Sequence, residues 1–89
     1  MNFSEALTYL RQGEKLARDG WNGKGMFIYY VPANYYPASR NLNGTMDGVF
    51  DNDLIPYQPY IAMLTAQKTV VPWLASQTDL LSNDWDIAP

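Results

Sequence analysis

The chain has 89 residues, a formal net charge of −3, and neither histidine nor cysteine. Those absences exclude disulfides, thiolate nucleophiles, thiolate metal sites and every catalytic arrangement built on an imidazole. The length suits one domain, residues 1–89, with an expected radius of gyration of roughly 12 Å.

The acidic balance argues against general nucleic-acid binding, which needs a basic surface. Charge is nevertheless uneven. Residues 1–40 carry five of the six basic side chains and a net +2, whereas residues 41–89 set Lys68 against six acids, for a net −5. The first part could therefore meet a compact anion locally. Neither a signal-peptide start nor an apolar run near the ~18–20 residues of a membrane span is present, so a soluble, intracellular protein without membrane association is expected.

In chain order, Asn2 and Glu5 form a capping-box pattern ahead of Phe3, Ala6, Leu7 and Leu10. That apolar stripe predicts a short amphipathic helix lying on a sheet and ended by Gly13. Lys15 to Arg18 reads as a strand, and Met26 to Val31 as a second, closed by Pro32. Between them Asp19-Gly20 and Asn22-Gly23 are turn dipeptides that hold Trp21.

Residues 32–59 show no regular pattern. Pro32, Pro37, Pro56 and Pro59 interrupt them, turn residues are frequent, and Tyr35, Tyr36 and Tyr57 suggest packing against something, such as a second subunit. Tyr60 to Thr65 and Thr69 to Val71 read as paired strands. Ser76 caps one helical turn reaching Leu81, and Trp85 to Ile87 forms a final edge strand. The expected fold class is α+β, one N-terminal helix packed on a small, mainly antiparallel sheet.

No P-loop or dinucleotide fingerprint is present, because the spacing Gly20-x-x-Gly23-x-Gly25 matches neither. Asp47, Asp51 and Asp53 lack the regular spacing of a calcium loop and read better as a solvated turn; Asp79, Asp84 and Asp86 read the same way. Neither a metal nor a cofactor is expected, and no catalytic residue is assigned.

Binding has more support than catalysis. A tryptophan face can stack on a base for on the order of 1–3 kcal/mol. Asn22 offers donors and an acceptor to a base edge or ribose, and Lys24 a point charge to phosphate. Backbone N–H groups near Gly23 and Gly25 can approach an anion closely, and Ser76 could add donors at a helix start. Composition alone leaves a second role open, in which Trp21, Trp73 and Trp85 simply plug a small core. A nucleotide-sized pocket usually needs about 300–1,000 Å³, so a second subunit is expected to supply part of its wall.

Two long motifs carry a family resemblance. Residues 18–26, Arg-Asp-Gly-Trp-Asn-Gly-Lys-Gly-Met, and residues 71–81, Val-Pro-Trp-Leu-Ala-Ser-Gln-Thr-Asp-Leu-Leu, stand with Tyr60-Ile61-Ala62-Met63 and Asp84-Trp85. Together they resemble the phage second Thoeris anti-defence protein family, formerly a domain of unknown function. The resemblance runs from the N-terminal helix to Trp85 and is weak over residues 33–58.

It implies a non-enzymatic sponge in the cytoplasm of the infected bacterial host. Such a protein binds the immune signal glycocyclic ADP-ribose without cleaving it, so the Thoeris effector stays inactive. It further implies a homotetramer with pockets between protomers. Matching motifs make Trp21 and Trp73 the expected packing walls, Asn22, Lys24, Ser76 and Asp79 the polar contacts, and Met26 and Ala75 further lining. Alternatives are a sponge for cyclic dinucleotides, a metal-dependent phosphodiesterase using the aspartates, or a protein-interaction module that blocks a host enzyme.

Overall fold

The computed structural model describes residues 1–21, 24–40 and 42–89. The fold is α+β. Helix α1 (Phe3–Arg11) is followed by strands β1 (Leu16–Arg18), β2 (Phe27–Val31), β3 (Asn34–Pro37), β4 (Leu54–Tyr57), β5 (Tyr60–Leu64) and β6 (Val70–Pro72). Helix α2 (Gln77–Leu81) and strand β7 (Trp85–Ile87) complete it. One antiparallel sheet runs β6-β5-β2-β1-β7, and β3 pairs with β4 in a separate ribbon.

The capping box forms as read. Glu5 N–H donates to Asn2 Oδ1 at 2.9 Å and Asn2 N–H to Glu5 Oε1 at 3.1 Å. This satisfies donors that a helix start otherwise leaves open. Gln12 is the C-cap, and Gly13 follows it at φ +91°. Ala6 and Leu10 are buried with Leu16, Ile28 and Trp85, and Phe3 and Leu7 pack against that cluster.

Side chains alternate across a sheet. The registers Leu16↔Ile28, Ile28↔Met63 and Arg18↔Trp85 therefore set Leu16, Ile28, Met63, Arg18 and Trp85 on one face, the face that α1 covers. The opposite face carries Ala17, Phe27, Tyr29, Val31 and Leu64.

Residues 32–59 depart from the irregular reading. Asn34↔Tyr57, Tyr35↔Pro56, Tyr36↔Ile55 and Pro37↔Leu54 form a regular antiparallel ribbon. Its prolines hid it, because proline cannot donate to a ladder and is excluded from central strands. Both strands here are edges, so the missing N–H groups face outward. Short 3-10 turns at Ala38–Arg40, Leu42–Gly44 and Asp51–Asp53 lie between them.

This ribbon also overturns the compact size expected from length. The radius of gyration is 15.8 Å, and the molecule measures 46 × 26 × 24 Å. A two-stranded ribbon paired with no other strand extends the chain rather than thickening its core. No described helix is long and apolar enough to cross a membrane.

Candidate ligand-binding site

Both tryptophan motifs meet at Trp85. Its ring is 1% exposed, and its indole N–H donates to the Asp79 carbonyl at 2.8 Å. Trp21 meets it edge to face with ring centroids 5.3 Å apart, and Trp73 does so at 5.9 Å. Phe3 of α1 closes the group at 5.3 Å from Trp85 and 5.7 Å from Trp73. Such geometries favour the positive edge of one ring over the negative face of the next. The core role and the site role of these tryptophans are thus not exclusive. Trp85 is fully core, while Trp21 and Trp73 are only partly buried against it.

Charge locks the same region. Arg18 Nη1 donates to Asp79 Oδ1 at 2.8 Å, and Arg18 Nε to Asp84 Oδ1 at 2.8 Å. Asp84 Oδ2 accepts from the Gly20 N–H at 2.9 Å, and Asp79 Oδ1 accepts from the Trp21 indole N–H at 3.3 Å. Gly20 sits tightly here: a Cβ would lie 3.0 Å from Asp84 Oδ2 and 3.3 Å from Arg18 Nη2, so the clamp would have to shift to admit one. One guanidinium thereby ties the β1–β2 loop to α2 and to the segment before β7, with the planar fork that arginine alone offers.

The two carboxylates respond to this setting. Burial opposes ionisation of Asp79. Hydrogen bonds from Arg18, Trp21 and Ser76 outweigh it and hold the carboxyl below its ordinary range. Asp84 is likewise lowered, first by its bond from Arg18 and, against some desolvation, by the Gly20 N–H. Both remain ionised at neutral pH, and neither is poised to donate a proton.

A cleft of about 250 Å³ opens beside this clamp. Ala17, Arg18, Trp21, Gly25, Met26, Phe27, Ala88 and Pro89 line it. Trp21 and Met26 thus share one cavity, and Lys24 is an exposed neighbour of it in sequence. Asn22 lies outside the described residues.

Trp73, Ala75, Ser76 and Asp79 do not line that cleft. Trp73 donates its N–H to the Ile61 carbonyl at 2.9 Å and stands on the helix side of the sheet. Ser76 caps α2: the Asp79 N–H donates to its Oγ at 3.0 Å, and the Ser76 N–H returns to Asp79 Oδ2 at 3.4 Å. The polar atoms of Ser76 and Asp79 are therefore engaged within the chain. Reasoning from sequence passed over Arg18 and Asp84 as working residues. A signal was available, because each stands in a motif and the strand pairing Arg18↔Trp85 brings the motifs together.

An aromatic cleft at the edge of a helix-covered antiparallel sheet, braced by an arginine–carboxylate clamp, defines a small α+β domain with a preformed recess. Residues 1–88 match the Thoeris anti-defense 2-like domain. Over 87 residues the chain is 38% identical to Thoeris anti-defense 2 of Bacillus phage SP01, covering 98% of this chain and 93% of that protein. The chain belongs to the Thoeris anti-defense 2-like family, and its role is anti-defence.

Proposed function

We propose that this protein sequesters glycocyclic ADP-ribose, the Thoeris immune signal, in the cytoplasm of the infected host and does so without cleaving it. The observation that carries this reading is the Trp21 cleft. It offers an aromatic face, the thioether of Met26, glycine backbone at Gly25 and a nearby cation in Lys24. Those groups suit adenine, ribose and phosphate in turn. Trp73, Ala75, Ser76 and Asp79 complete or brace the site from the second motif.

The cleft is smaller than the ~300 Å³ at which ligand pockets usually begin, which suits a site finished by another protomer. The surface supports the same assembly. The chain exposes 6371 Å², against roughly 5,300 Å² for a compact monomer of this mass. The excess, on the order of 1,000 Å², is comparable to the ~800 Å² that each partner buries in a standard interface. A homotetramer with pockets between protomers is the proposed state.

The purified protein is incubated with glycocyclic ADP-ribose, filtered, and heat-denatured. Depletion of the free signal and its recovery with unchanged mass are expected, at no more than one molecule per site. Recovery of a cleaved product would show an enzyme instead, and depletion of cyclic dinucleotides alone would redirect the ligand assignment. Mass spectrometry under native conditions reads oligomer size and stoichiometry together.

A further inference from the structure

We propose that Lys68 is a phosphate-binding residue at the mouth of the Trp21 cleft. This assignment rests on the ligand reading above and adds to it a residue from a different hairpin.

The sheet registers bring the two hairpins together. Because Phe27 pairs with Leu64 in antiparallel strands, the residues just before Phe27 lie beside those just after Leu64. Gly25 thereby meets the β5–β6 turn, and the Lys68 ammonium reaches it so closely that a Cβ on Gly25 would stand 3.0 Å from Nζ. Gly25 itself lines the cleft beside Trp21 and Met26.

The turn aims this side chain. The Thr65 N–H donates to the Thr69 carbonyl at 2.8 Å, the Lys68 N–H to the Thr65 carbonyl at 3.0 Å, and the two threonine hydroxyls join at 2.8 Å. Lys68 occupies φ +65°. Non-glycine residues enter that region at a cost, with asparagine and aspartate the usual exceptions because they bond locally. The three-residue loop calls for that conformation at this position but not for a lysine, which has no such local bond.

The ammonium is uncommitted. Among the described residues it makes no ion pair or hydrogen bond, whereas Arg18 is paired with two carboxylates and Lys15 bonds the Pro89 carbonyl at 2.9 Å. A free cation beside glycine backbone and an aromatic wall matches a nucleotide whose base lies on the ring and whose phosphate oxygens turn outward.

Lys68→Gly separates this role from a turn role, because glycine accepts φ +65° without strain. Binding of glycocyclic ADP-ribose is measured by calorimetry across ionic strengths, beside Trp21→Ala, Lys68→Arg and thermal melting. For Lys68→Gly an unchanged or higher melting temperature is expected, with affinity about tenfold or more weaker and a shallower dependence on salt. Lys68→Arg, which keeps the charge, is expected to bind within about threefold of the parent. Affinity of Lys68→Gly within twofold of the parent, or a loss with unchanged salt dependence, would overturn the assignment. So would a Lys68→Arg variant as weak as Lys68→Gly. If Trp21→Ala binds as the parent does, the cleft reading itself fails; if Trp21→Ala is weak while Lys68→Gly binds normally, only the role of Lys68 fails.

Discussion

The helix-covered face of the large sheet and the β3–β4 ribbon solve opposite problems with similar residues. Around Trp85, aromatic rings bury one another and the indole N–H groups of Trp21 and Trp85 each have a partner. In the ribbon, alternation puts Tyr35, Pro37, Leu54 and Pro56 on one face, and that face stays open, with Tyr35 65% exposed. Apolar content therefore says little about where a residue ends. What separates the two regions is a covering layer: α1 and α2 supply one for Trp85, and none of the described residues supplies one for Tyr35. The first region is closed within the chain, whereas the second leaves apolar residues exposed, the kind of patch that marks interaction surfaces.

The strongest test of that contrast is Trp85→Ala. Loss of a fully buried tryptophan costs about 3–5 kcal/mol, a large share of the ~5–10 kcal/mol a domain of this size commands. The variant should show no cooperative melt by circular dichroism at 37 °C; a normal melt would mean that the core lies elsewhere.

Next comes the ribbon. Replacing both Tyr35 and Leu54 by Lys is expected to shift the proposed homotetramer toward smaller species in native mass spectrometry. The far-ultraviolet spectrum should remain that of the parent. An intact oligomer would move the interface to another surface, such as the open sheet face around Phe27 and Tyr29.

Within the core side itself, Trp21→Ala should weaken ligand binding by about tenfold or more, the value of one stacked ring, while a folded protein remains. Trp73→Ala is the sharper comparison, since Trp73 does not line the described cleft. A similar loss there, with the assembly intact, would show that the second motif reaches the ligand. Unchanged affinity would leave Trp73 as packing alone.

The smallest expected effect concerns acid. Asp79 and Asp84 ionise below their ordinary value of 3.8 when folded. The folded state therefore holds fewer protons than the unfolded one between the two values, and stability rises with pH across that window. The contribution is fully present above the ordinary value and is lost as pH falls through the lowered ones. The melting temperature should decline as pH drops below about 4. Replacing Arg18 by Met should lessen the slope, as the two carboxylates then titrate nearer their ordinary values. An identical slope would place the acid-sensitive groups outside the clamp.

Much of this architecture is legible along the chain because it is set by neighbours. The Asn2–Glu5 box, the Phe3-Ala6-Leu7-Leu10 stripe, the stop at Gly13 and the Ser76–Asp79 cap are all contacts within a few residues, so spacing reveals them. The β3–β4 ribbon is illegible along the chain for the converse reason. Its partners are some twenty residues apart, and prolines tolerated only at edges disguise its strands. The site divides along the same line. Local chemistry marks Trp21, Asn22 and Lys24 as a loop suited to a flat, charged ligand, whereas Met26 enters only through the family resemblance. No spacing could show that Asp79 bonds Trp21 across 58 positions, or that Arg18 joins Asp79 and Asp84. Those contacts follow from strand pairing, which brings distant residues together only once the sheet has formed.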